Sequence, residues 1–169
     1  MWLTKASKAD FEVIYPAMQN SFIPDEIREK DAALTVLDEE DYTVYKIYEN
    51  AEWVGFITLW ELSGFAFIEH FSVFSEYRNR GYGGRTVEMV KEKYESLVLE
   101  AEPPIEEIQK RRIGFYERCG FCQNDYEYMQ PSYREGGAEV RLVLMSYPAP
   151  LSDCEATKRE IYSRVYKRS

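Results

Sequence analysis

Eight consecutive residues, Arg78-Asn79-Arg80-Gly81-Tyr82-Gly83-Gly84-Arg85, concentrate more potential chemistry than any other stretch of this 169-residue chain. They stand between an apolar run and a segment whose apolar positions, Val87, Val90 and Tyr94, recur at helical spacing. Their backbone N–H groups should therefore converge on a helix N-terminus. Glycines let a phosphate approach with no Cβ in the way, the helix dipole places about half a positive charge there, and three arginines add donors. Together these make an anion site. The dinucleotide pattern G-x-G-x-x-G fails at Thr86, and no G-x-x-x-x-G-K-[ST] occurs. A plain β-turn at a helix start is the alternative that the loop by itself leaves open.

A second candidate, Cys119-Gly120-Phe121-Cys122, has C-x-x-C spacing. It falls at the C-terminal end of an expected helix, where the dipole disfavours a thiolate, and it lacks a second cysteine pair or a neighbouring histidine. Redox and metal roles are set aside, and no metal is expected.

The charge balance, 21 basic against 30 acidic residues for a net charge of −9, repels nucleic acid and anionic membrane and favours cationic partners. The longest apolar run, Val54–Trp60, is far short of the ~20 residues that span a bilayer, so no membrane association is expected. Three cysteines and a start without a basic, apolar leader point to a reducing cytoplasm. The 14 Tyr, 9 Phe and 3 Trp are enough to line clefts as well as a core.

The elements that must position the loop follow from pattern. Trp2–Ala6 reads as a strand and Lys8–Asn20 as a helix with Phe11, Ile14, Tyr15 and Met18 inward. One or two short helices follow Pro24. Tyr42–Tyr48, Trp53–Leu62 and Phe65–Phe74 form an antiparallel meander. A helix over Arg85–Ser96 and a strand over Leu97–Ala101 come next. A second helix starts at Pro103-Pro104, carries Ile105, Ile108, Phe115 and Cys119 on one stripe, and ends at Gly120. Phe121–Tyr128 and Val140–Met145 make a last hairpin, and Ser152–Lys167 a C-terminal helix with Thr157, Ile161 and Val165 inward. This is an α+β pattern: a mixed, mostly antiparallel twisted sheet flanked by helices. Residues 1–147 form the main domain and 148–169 a C-terminal extension.

Arg78-x-x-Gly81-x-Gly83, after a strand ending Glu69-His70-Phe71-Ser72-Val73, followed by a helix, a strand and Phe115-Tyr116-x-x-x-Gly120-Phe121, resembles the GNAT superfamily of acetyl-CoA-dependent N-acetyltransferases. The resemblance runs from about Trp2 to Met145. It implies acetyl-CoA as co-substrate, its pyrophosphate wrapped by Arg78, Asn79, Arg80, Gly81, Tyr82, Gly83, Gly84 and Arg85. The pantetheine arm would lie like an added strand against Phe71, Ser72 and Val73, with the Val73 N–H as oxyanion donor. In polyamine-type members a glutamate at the position of Glu69 serves as base. Because a solvated carboxylate near pKa 4.3 is a poor base for an amine near 10, Glu69 must be partly buried, act through water, or only bind the cation. Strand alternation puts His70 on the opposite face, in a structural role. Tyr116 takes the place of the acid that protonates the coenzyme A thiolate.

The acceptor is expected to be a small cationic amine, with a protein or peptide amine as the alternative. Trp60, Phe67 and Tyr133 would shape its pocket, and the acidic runs Glu39-Glu40-Asp41 and Glu106-Glu107, ordinarily solvated faces, could rim it. A non-catalytic acyl-CoA binding module is a further alternative. The C-terminal helix could pack on its own domain or cross to a second copy in a homodimer.

Overall fold

The computed structural model describes residues 1–168. Strands β1 (Trp2–Lys5), β2 (Tyr42–Glu49), β3 (Glu52–Leu62), β4 (Phe65–Val73), β5 (Leu97–Ala101), β6 (Cys122–Gln123), β7 (Tyr128–Gln130) and β8 (Val140–Tyr147) alternate with α1 (Phe11–Ser21), α2 (Lys30–Val36), α3 (Tyr82–Lys93), α4 (Glu107–Arg118) and α5 (Cys154–Arg164). The sheet order is β1-β2-β3-β4-β5-β8-β6, with β7 pairing β8 separately. Every pairing is antiparallel except β4 with β5, which the α3 crossover makes parallel.

Both faces of the sheet are covered, which explains its long apolar strands. On one face Phe56, Trp60, Phe67, Val98 and Leu144 pack under α1, α2 and α5. On the other, Ile57, Leu59, Ile68, Leu99 and Met145 pack under α3 and α4. The C-terminal helix is not a loose extension. Its Thr157 and Ile161, with Val165 just beyond, are buried as their spacing predicts, the last two in the first of these cores. No helix among the described residues is long and apolar enough to cross a membrane.

Three elements depart from expectation. Helix α3 starts at Tyr82, not Arg85, because Gly81 takes a left-handed φ of 78° as its N-cap and the following glycines are already helical. Helix α4 starts at Glu107, where Glu106 and Gln109 form a reciprocal capping box. Ile105 and Ile108 consequently lie outside, 75% and 65% exposed, while Ile113 and Tyr116 face the core. The expected strand Phe121–Tyr128 is broken into β6 and β7 by Asn124, whose N and Nδ2 both donate to the Leu144 carbonyl, at 2.9 and 3.1 Å.

Candidate active site

The site begins with one surplus residue. Thr58 on β3 pairs with His70 and Leu59 pairs with Ile68, leaving Glu69 as a β-bulge. A bulge bends its strand and turns two consecutive side chains the same way. Glu69 and His70 therefore share the α1 face, Glu69 Oε2 lying 3.4 Å from His70 Nδ1, and the expected alternation is overturned. The bend also ends strand pairing: β4 meets β5 only over Ala66–Ile68 against Leu97–Leu99. Beyond that point the strands part, and a cleft of about 530 Å³ passes through the sheet.

Glycine-loop residues and backbone edges meet at this gap. His70 N donates to Thr58 Oγ1 and Phe74 N to the Val54 carbonyl, both on β3, each at 2.9 Å. By strand alternation the N–H groups of Phe71 and Val73 face the gap. The Val73 carbonyl accepts from Arg78 Nε at 3.0 Å, while the Val73 N–H remains for a ligand. Helix α3 has no side-chain cap, which leaves the amides of Tyr82, Gly83 and Gly84 directed outward. At Gly83 an added Cβ would lie 3.2 Å from the Phe115 ring, whereas Gly84 opens onto free space. Asn79 and Arg80 are exposed on the loop, Arg80 over the Tyr77 ring. The Arg85 guanidinium is committed to Glu49 by two bonds of 2.8 and 3.2 Å, so at Arg85 a phosphate would meet an arginine already paired. Ser72 is buried, its Oγ 3.0 Å from Ser21 Oγ.

Four carboxylate residues, Glu26, Glu69, Glu100 and Glu102, line the cleft. Glu69 is enclosed, with Arg28 Nη1 donating to Oε1 at 2.6 Å and Tyr133 Oη at 2.9 Å. Burial alone would raise its pKa, but the adjoining Arg28 and His70 outweigh burial and hold the carboxyl far below the usual range. Such a carboxylate is a poor proton acceptor, which argues against Glu69 as base. Glu69→Gln leaves Arg28 buried without a counter-charge and should cost about 3–5 kcal/mol, lowering Tm by roughly 10 °C. With its folded pKa depressed, this contribution is complete above the unfolded value of about 4.3 and declines as pH falls below it. Melting curves of both proteins between pH 3 and 7 test this, since their gap should narrow in acid.

Glu100, on β5 across the gap, was not singled out from the sequence. Burial pushes its carboxyl up to about 7, with Glu69 adding to the rise, against donation from Tyr128, Tyr166 and Gln130. Gln130 Nε2 and Tyr166 Oη reach its Oε2 at 2.8 and 2.6 Å, and Tyr128 Oη donates to Oε1. The available signal was a lone acid in the otherwise apolar strand Leu97-Val98-Leu99-Glu100-Ala101, a costly placement unless the carboxylate is used or bonded. Glu26 is raised by burial and by nearby Glu102, which is itself paired to Arg112 at 2.5 Å. The acidic runs Glu39-Glu40-Asp41 and Glu106-Glu107 do not line the cleft.

Tyr116 lines the cleft from α4, and burial pushes its phenol up to about 12. Trp60 and Phe67, expected in an acceptor pocket, are instead sealed in the core at 0% and 1% exposure, because both side chains point under α1 and α5. Tyr133 braces Glu69 and does not line the cleft.

Among curated proteins, none is significantly similar in sequence. A GNAT-family protein from Bacteroides thetaiotaomicron shares 31% identity over 100% of both chains, with a TM-score of 0.93. A spermidine N-acetyltransferase variant from Vibrio cholerae aligns at 0.65 with 13% identity, covering 86% of this chain and 94% of the other. An aminoglycoside 6'-N-acetyltransferase complexed with coenzyme A aligns at 0.62 with 14% identity, covering 90% and 100%. The last two show likeness of fold. The model of the acetyltransferase (GNAT) family matches residues 9–121, which hold the uncapped glycine turn, the bulged strand and the parting of β4 from β5, and the chain belongs to that family.

Proposed function

We propose that this protein transfers an acetyl group from acetyl-CoA to a small cationic amine, with Glu100 as base and Tyr116 as acid. The observation that carries the reading is the acidic cleft through the sheet. Of its four carboxylates, Glu69 and Glu102 are paired to arginines, while Glu26 and Glu100 form no ion pair among the described residues, and both hold protons more tightly than usual. An arriving ammonium would supply the missing counter-charge.

Residues suited to hold acetyl-CoA are the outward amides of Tyr82, Gly83 and Gly84 for phosphate, and the N–H groups of Phe71 and Val73 for the extended arm. The bound molecule supplies an activated thioester. Glu100 faces the α1 and α5 side and takes the proton from the amine. A carboxyl near 7 serves this better than one near 4. Tyr116 belongs to the α3 and α4 side, and its phenol, protonated at all physiological pH, can donate to a departing thiolate. Amine and thiol thus use opposite faces of the sheet. Tyr116→Phe should lower kcat by about 10²-fold and leave the KM for acetyl-CoA unchanged, as steady-state thiol release would show.

The test is calorimetric titration with acetyl-CoA, followed by thiol-release assays with mono-, di- and polyamines, aminoglycosides and lysine peptides. Micromolar binding, about −8 kcal/mol, with turnover of small cationic amines is the expected result. The absence of both binding heat and a thermal shift would overturn the reading. Binding without release would indicate a non-catalytic acyl-CoA module, and release with peptides alone would overturn the small acceptor.

A further inference from the structure

The part of the chain beyond the family match returns to the cleft. After α5 ends, Val165 and Tyr166 are pinned from several directions. The N–H groups of both bond back to the Ile161 carbonyl at 2.9 and 3.3 Å, and Arg28 Nη2 donates to the Val165 carbonyl at 2.9 Å. This is the guanidinium that also neutralises Glu69. The Tyr166 ring packs 4.8 Å from Tyr133, and Arg168 N donates to the Tyr162 carbonyl at 2.8 Å. The result is a hydroxyl delivered 2.6 Å from Glu100 Oε2, with Gln130 Nε2 2.8 Å from both oxygens.

Resting on the reading of Glu100 as base, we propose that Tyr166 is a positioning residue: it fixes the Glu100 carboxylate toward the cleft and sets its proton affinity, so the segment after α5 is a working part of the site. Three donors from two stretches of chain meet one carboxylate. Tyr128 and Gln130 come from β7 and Tyr166 from the tail. The other titratable or charged groups around Glu100 are Glu69 and His70 on β4, Glu26 in the turn before α2, Glu102 beyond β5, Arg112 and Tyr116 on α4, Tyr133 after β7 and Tyr162 on α5. A donor to a carboxylate favours its charged form, so losing one moves the carboxyl upward. Burial and Glu100 together keep the Tyr166 phenol well above 10, so it remains a donor throughout the working range.

Tyr166→Phe deletes the hydroxyl and keeps the stacked ring. Carbon-13 NMR of protein labelled at glutamate Cδ, with Glu100 identified by its absence in Glu100→Gln, follows the carboxyl directly with no substrate present. The midpoint should rise by about one pH unit. The acidic limb of kcat/KM should rise by the same amount, with activity down about tenfold at pH 6.5, nearly equal to wild type at pH 9, and the KM for acetyl-CoA unchanged. Tyr162→Phe, which removes a neighbouring hydroxyl bonded to the Met129 carbonyl, serves as control and should move neither. An unmoved midpoint in Tyr166→Phe, or an equal shift in Tyr162→Phe, overturns the inference while leaving any measured turnover intact. A shifted midpoint in a protein that turns over no amine overturns the acetyltransferase reading, and with it the catalytic half of the inference.

Discussion

Glu100→Gln should lower kcat by about 10²–10⁴-fold, the span that a general base contributes, while acetyl-CoA still binds with wild-type heat. The pH dependence discriminates better than the magnitude. A base near pKa 7 is half protonated at neutrality, so wild-type kcat/KM should fall tenfold per pH unit below about 7. The residual activity of the variant should lack that limb. Stability should move the other way. The folded protein raises this carboxyl from about 4.3 to about 7, so ionising it costs stability progressively between about pH 4.3 and 7, and the full cost is present above 7. Glutamine avoids that cost, and the variant should be more stable than wild type at pH 8 by up to about 4 kcal/mol, with the difference vanishing near pH 4. Equal urea midpoints at pH 8, or an intact acidic limb, would show that Glu100 is not the titrating group.

The second large effect is expected at Gly84. Aspartate there adds no clash, since nothing lies within 4 Å of the added Cβ, and the position is not left-handed. An acid in the first turn of α3 is favourable by about 0.3–1 kcal/mol, so Tm should hold or rise slightly. The same carboxylate would face a bound pyrophosphate. A like charge at about 4 Å in a partly screened site costs about 4 kcal/mol, near a thousandfold in affinity. Gly84→Asp should therefore abolish detectable acetyl-CoA binding in a fully folded protein, and Gly84→Asn, of the same shape without the charge, should retain most of it. Gly83 is a less informative position, because substitution there also presses on Phe115. Wild-type affinity in Gly84→Asp would remove the phosphate from this helix end.

The glycine turn was legible because its chemistry is local: Gly81, Gly83 and Gly84 at a strand-to-helix junction suit an anion wherever they occur. The meander, β5 and the inward residues of α5 were likewise written in periodicity. His70 was misplaced because alternation assumes one residue per pleat, and the bulge is set by how β3 registers on β4, a relation between strands that neither strand states alone. Trp60 and Phe67 were read as cleft walls for their aromatic character, yet their even and odd positions on neighbouring strands bring both under one helical layer. Glu100 was passed over because its meaning comes from Tyr128, Gln130 and Tyr166, at least 28 residues away.

The surplus residue in β4 also leaves a signature that needs no ligand. Before it, odd-numbered side chains such as Phe65 and Phe67 enter the first core; after it, even-numbered ones, His70, Ser72 and Phe74, lie on that side. A scan of aspartate substitutions along the strand would read as a two-beat rhythm of tolerated and damaging positions that skips half a cycle at Glu69. Aligning a relative with a flat strand here would need a one-residue gap at that beat.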